Sequence, residues 1–242
     1  MCFDKMSFLT EIKWKFLFKH TYFRVCKNAI AQIDKNVIIR NSRIIVSPGA
    51  SVYIENNVII ENVIIYIEKG VLTIGNCSRI GNPKTFPILN IEAGEVHIGH
   101  HSIITASRFW VRFGGVIKIG NYTNINSGSE IRCDESVTIG NYNQISYNIV
   151  IWDTNTHNIL PVKIRRELAE RKYPYLGKEE SRPLTSPIVI GNDCWIGQNV
   201  SILKGTVLGN EVIIGYNCML VGATIADQTT VVTDNKLKIF KR

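Results

Sequence analysis

The sequence predicts an all-β solenoid of short, stacked, parallel strands. Three observations carry this. Aliphatic residues recur at a step of six, at Ile190, Ile196, Ile202, Leu208, Ile214 and Leu220. Glycine follows four of them, as Gly191, Gly197, Gly209 and Gly215. The same step of six runs through Ile119, Ile125 and Ile131, and after two extra residues through Ile139, Ile145 and Ile151. Looser hits (Val58, Ile64, Ile74 and Ile80) extend the pattern toward the N-terminus.

Six residues fit neither of the common periods. An α-helix repeats every 3.6 residues and a strand every two. The spacing fits short strands joined by sharp corners, each delivering one aliphatic side chain to a shared interior. Stacking the turns buries those side chains in a continuous column, in place of an ordinary globular core. Glycine beside the inward residue suits a corner where a side chain would clash. The asparagines that crowd there (Asn76, Asn82, Asn121, Asn141, Asn192, Asn210) tolerate left-handed backbone. The solenoid is expected over residues 31–233, with a loop extruded at 158–187, where four prolines and the charged stretch IRRELAERKY interrupt the repeat.

Charge narrows the function classes. The chain has 242 residues and a net charge of +8. Residues 1–28 contribute +4, residues 163–182 contribute +3 and residues 234–242 contribute +3, so the remainder is −2. A nucleic-acid binder carries its positive charge on the folded body, so nucleic acid is not expected as a partner. No apolar run reaches the length of about 20 residues that spans a bilayer. The six cysteines include no CxxC pair, which fits reduced thiols in the cytoplasm.

Two terminal pieces flank the solenoid. Residues 6–28 read as an amphipathic helix, with Phe8, Ile12 and Phe16 on one face. Two roles stay open for this N-terminal segment (1–30): a cap on the open end of the stack, or a basic aromatic helix on the inner face of an anionic membrane. The basic tail 234–242 closes the chain.

His157 is the candidate catalytic residue. It lies six positions after Ile151, in WDTNTHNI, where the wall opens into the loop. Neutral imidazole takes up a proton near pH 7, and transfer to an alcohol needs a base of this kind. Asp153, four residues earlier, is the candidate to orient the ring or to touch the acceptor.

These features resemble the hexapeptide-repeat family, whose fold is a left-handed parallel β-helix with three faces per turn. The order is the repeat, Asp153…His157, the loop, then Pro187-Ile188-Val189-Ile190-Gly191, Trp195-Ile196-Gly197, Gly205 and Gly209. It is similar to that of the sugar O-acetyltransferases of this family. The resemblance implies acetyl-CoA as the acyl donor and no metal. It implies a homotrimer with the site between neighbouring subunits. The acceptor it implies is a carbohydrate hydroxyl of a surface polysaccharide or its precursor. It makes His157 the general base and Asn124 its assistant, with Asn126 the second choice, and it puts Trp195 near the acceptor. Coenzyme A would run along the later turns, over Gly197, Gln198, Gly215 and Tyr216, with Lys204 toward its phosphates. Two departures stand out. Tyr216 replaces a usually small residue, and VTDNKLKIFKR replaces the usual GxPAK-like end. Two other readings use the same scaffold. One is a non-catalytic interaction subunit. The other is a γ-carbonic-anhydrase-like metal enzyme, for which His97, His100 and His101 would be the ligand candidates.

Overall fold

The computed structural model describes residues 20–82, 86–172 and 179–234. Within them the chain winds as a three-walled prism, each wall a parallel sheet of nine strands. The first wall runs from Tyr22–Val25 to Met219–Val221, the second from Ile30–Ile33 to Thr224–Ile225, and the third from Ile38–Arg40 to Thr230–Val231. Each strand pairs with the strand three places on in the chain.

The step of six is the step from one wall to the next. Ile190 stands in the second wall, Ile196 in the third and Ile202 in the first. After three steps the chain is back on the same wall, and Ile202 pairs with Leu220. All six residues of that series are buried. On the first wall, Ile44, Ile65, Leu89, Phe109, Ile131, Ile151, Ile202 and Leu220 form one inward ladder. Burying each such side chain contributes about 1.5–3 kcal/mol. β-Branched residues also hold one preferred rotamer on a pleated surface, which keeps the column in register.

The corner between the second and third walls shows what glycine and asparagine do. A Cβ added at Gly140 would lie 2.6 Å from both Asn192 Oδ1 and the Gly191 carbonyl oxygen. The turn below therefore requires a bare backbone here. The amides pair along the axis. The Asn141 N–H donates to Asn192 Oδ1 at 2.8 Å, and the Asn192 N–H donates to Asn210 Oδ1 at 2.9 Å. The column ends on a carboxylate, where the Asn210 N–H donates to Asp227 Oδ1 at 2.9 Å.

The ends differ from the expectation. The solenoid starts before residue 31. Tyr22–Val25 is a strand paired in parallel with Arg43–Val46, so the helix expected over 6–28 does not reach it. The reason is local: Phe23 packs on the core and the Tyr22 N–H donates to the Ser42 carbonyl, so tertiary pairing overrides the helical pattern. The rest of that helix, residues 1–19, and most of the tail lie outside the described residues. The loop holds a helix, α1 (Val162–Lys172), which buries none of its residues. No helix among the described residues is long and apolar enough to cross a membrane.

Replacing Asn192 with alanine would orphan the Asn141 N–H between two turns. Losing a hydrogen bond from this part-buried donor costs about 0.5–1.5 kcal/mol. Urea unfolding of Asn192→Ala should show a midpoint lowered by that free energy divided by the slope, at an unchanged slope.

Candidate functional site

The loop leaves the prism at the corner between the first and second walls, between Val150–Trp152 and Ile188–Ile190. Its neck is pinned shut. The Ser186 N–H donates to the Asp153 carbonyl at 2.9 Å, the Asn155 N–H donates to the Leu184 carbonyl at 3.0 Å, and Thr154 bridges Thr185. His157 stands just outside this neck with its side chain 56% exposed.

The carboxylate that meets His157 is Glu179, which comes back from the far side of the loop. His157 Nδ1 lies 3.0 Å from Glu179 Oε1, and Asn158 Nδ2 donates to Glu179 Oε2 at 2.8 Å. Burial pushes the Glu179 carboxyl up, but hydrogen bonds from Asn158 and His157 outweigh it and hold the group below its ordinary value. It is therefore a carboxylate near neutral pH, and a carboxylate only accepts. Nδ1 must then carry the proton. Among the described residues no group bonds Nε2, and the side chain is more than half exposed.

Asp153, expected to orient His157, is used elsewhere. It is fully buried, and its Oδ1 accepts from the Asp134 N–H at 2.9 Å. Its Oδ2 accepts from the N–H groups of Glu135 and Ser136 at 2.8 and 2.7 Å. It clamps the corner of the preceding turn, and its backbone carbonyl closes the loop neck. Burial raises its pKa against those three N–H donors. The Cys133 thiol beside it, at 3.4 Å, is pushed up by burial and by the Asp153 charge, which makes it an inert thiol.

The remaining candidates fall into two groups. Asn124, Gln144 and Trp195 occupy successive outward positions of one register column on the third wall, with Ile213 next. Asn124 Nδ2 donates to Gln144 Oε1 at 3.3 Å, and Trp195 is 60% exposed. So the structure brings Asn124 and Trp195 onto one ladder. Asn126, Gly197, Gln198, Gly215 and Tyr216 follow at the next corner, between the third and first walls. Asn199 Nδ2 donates to the Tyr216 hydroxyl at 3.1 Å. Gly197 is explained by its own neighbour, since an added Cβ would meet the Ile214 carbonyl oxygen at 2.9 Å. Lys204 does not join them. Its ammonium donates to Asn155 Oδ1 in the loop neck, so it braces the His157 segment.

In a three-walled prism the corner between two walls faces away from the third. His157 and the Asn124–Trp195 ladder therefore lie on opposite sides of one chain. His97 is bonded to Thr73 and Glu95, and the rings of His100 and His101 contact each other. Among the described residues no three His, Cys, Asp or Glu side chains converge to hold a metal. Glu179 had no sequence signal, because it comes 22 positions after His157 in a stretch without periodicity.

A family model described as bacterial transferase hexapeptide (six repeats) matches residues 187–222, and the buried six-residue series continues that repeat through the earlier turns. Residues 187–222 thus carry the hexapeptide repeat. The chain is 29% identical over 142 residues to the probable acetyltransferase Rv3034c of Mycobacterium tuberculosis (strain ATCC 25618 / H37Rv). The match covers 58% of the chain and 40% of that relative, so it spans less than half of the relative's length. Among solved structures, the polySia specific acetyltransferase NeuO aligns with a TM-score of 0.53 at 17% identity, over 93% of this chain and 87% of that one. The polysialic acid O-acetyltransferase OatWY aligns at 0.48 and 18% identity, over 90% and 92%. The solenoid is the left-handed parallel β-helix.

Folding lowers the Glu179 pKa, so the contact favours the deprotonated form. Its stabilisation is complete above the ordinary value of 4.5 and is lost as pH falls through the lowered folded value. A carbon-13 NMR titration of the Glu179 carboxyl should give a midpoint below 4.5. A midpoint above it would contradict the contact.

Proposed function

We propose that this protein is an acetyl-CoA-dependent O-acetyltransferase acting on a carbohydrate hydroxyl, with His157 as general base. One observation carries the reading. A half-exposed histidine at the mouth of the extruded loop has Nδ1 committed to a carboxylate and, among the described residues, no partner on Nε2. That is the tautomer a base needs, fixed before any substrate arrives.

The step follows from this geometry. His157 Nε2 takes the proton of the acceptor hydroxyl as the oxygen attacks the thioester carbonyl. The new C–O bond forms and negative charge builds on the carbonyl oxygen. Collapse breaks the C–S bond, and the imidazolium returns its proton to the leaving thiolate. Glu179 stabilises that imidazolium while it exists. The developing oxyanion needs a donor, and Asn124 is the candidate.

His157 and Asn124 share no side of one chain, so the complete site would form between copies. A homotrimer supplies it. Rotation about a threefold axis sets the His157 corner of each copy against a neighbour's third wall and closes without leftover surfaces. The partner subunit's Asn124 and the partner subunit's Trp195 would then line the acceptor side. Trp195 fits a sugar, because an exposed indole offers an apolar face with one polar edge. The Gly197, Gln198, Gly215 and Tyr216 corner is the proposed track of the acyl donor.

The acceptor we infer is a surface polysaccharide or its precursor. The basic segment 1–28, at net +4, suits work at the anionic cytoplasmic face of a membrane.

Thiol release from acetyl-CoA, measured with a panel of oligosaccharides, tests the reading. His157→Ala should lose acceptor-dependent turnover by a factor of about 10²–10⁴. Glu179→Gln should lose about tenfold or more, because the amide also stabilises the wrong tautomer. Unchanged turnover in His157→Ala would move the base elsewhere.

A further inference from the structure

The peptide before His157 is held in a conformation that its own residue disfavours. Thr156 has φ of +67°, the left-handed region, where a β-branched side chain is an outlier. Its hydroxyl is buried and makes no hydrogen bond, so the side chain returns nothing for the strain. Something outside the residue must impose this geometry.

Behind the peptide lies a buried ion pair. Arg112 Nε donates to Asp134 Oδ1 at 2.9 Å, and Arg112 Nη2 donates to Asp134 Oδ2 at 2.7 Å. The two side chains are 6% and 1% exposed. The guanidinium is fixed further by the rings of Trp110 and Phe113, at 4.5 and 5.1 Å. This pair reaches both polar groups of the Thr156 backbone. Arg112 Nη2 donates to the Thr156 carbonyl at 3.1 Å. The Thr154 hydroxyl donates to Asp134 Oδ2 at 2.6 Å and accepts from the Thr156 N–H at 3.0 Å.

A buried ion pair is a weak source of stability, because desolvation offsets the attraction. Here its spare valences converge on one strained peptide, and the next residue is His157. We propose that Arg112 and Asp134 are positioning residues for His157: they lock the Thr156 peptide so that the imidazole points at Glu179 on one side and out of the loop mouth on the other. This rests on the reading of His157 as the base. Neither residue touches a reactant, and each acts through the Thr156 backbone. Catalysis is sensitive to such aim, since a displacement of about 1 Å can cost about 10²-fold.

The test separates aim from stability. Asp134→Asn alone leaves a buried guanidinium poorly paired and endangers the fold. Replacing both, Arg112→Met with Asp134→Leu, removes the charges together, and such exchanges usually preserve stability. Turnover is measured with acetyl-CoA and oligosaccharides, beside wild type and His157→Ala. The double variant should melt within about 5 °C of wild type, keep KM for acetyl-CoA within about twofold, and lose kcat by about tenfold or more. The nitrogen-15 spectrum of the His157 imidazole gives a second readout that does not depend on activity. It should move from a single Nδ1–H tautomer in wild type toward a tautomer mixture in the variant.

A folded double variant with wild-type kcat, or with an unchanged imidazole spectrum, overturns the proposal. If it does not fold, Arg112→Lys decides by the same readouts. A point charge can pair with Asp134 but cannot hold the carbonyl as well. Full turnover in His157→Ala would instead sink the base reading. A dead His157→Ala beside a fully active double variant would sink only the positioning role.

Discussion

Strict register between stacked turns is the constraint on which the rest of this structure depends. Each strand takes its partners from the turn before and the turn after, and each inward side chain sits on the one below. Ile131, Ile151 and Ile202 show the consequence. The loop is inserted between the second and third of these residues, yet they remain one ladder. An insertion cannot interrupt a wall without orphaning a row of backbone groups. It can leave only at a corner, with its neck closed behind it. The loop that carries His157 is therefore bound to emerge at an edge of the prism, and the Asp153 clamp, the Ser186 bond and the Thr154–Thr185 bridge are what that exit requires.

The same constraint limits reactive side chains to outward positions and loops. Inward positions are occupied by packing. Corner positions are occupied by glycine and by the asparagine ladder ending on Asp227. What remains are outward columns such as Asn124–Gln144–Trp195, and whatever an extruded loop folds back onto itself. His157 and Glu179 belong to the second kind. Their contact is local and exposed, so its precision must come from its support. The buried groups under the loop neck are that support, and Lys204 braces it through Asn155.

Much of the fold was legible because a six-residue period is a statement about geometry. Ile190 through Leu220 announced their own burial, and the glycines beside them announced the corners. The start of the stack was not legible. Tyr22 continues the helical spacing of Trp14 and Phe18, and only pairing with Arg43–Val46 shows Tyr22–Val25 to be a strand. His157 stands at the loop mouth, where its place at the end of a regular wall puts it. Its partner was not legible. Asp153 is near in sequence and chemically suitable, but corner backbone groups satisfy it. Glu179 arrives through a loop whose path no periodicity encodes. Lys204 looked free for phosphate because nothing in the sequence reveals its bond to Asn155. Sequence proximity fails here for the reason periodicity succeeds: walls repeat, and loops do not.

The central proposal is that His157, as base, and the Asn124–Trp195 ladder, as acceptor side, lie on opposite sides of one chain and are joined between copies. Mixing subunits tests this most directly. His157→Ala and Trp195→Ala protomers, each first assayed alone for lost turnover, are unfolded together, refolded as mixed assemblies and assayed for acceptor-dependent thiol release from acetyl-CoA. The account predicts recovered turnover, because some interfaces then join an intact His157 corner to an intact third wall. No recovery, from mixed assemblies of normal mass, would place the whole site within one chain and contradict it.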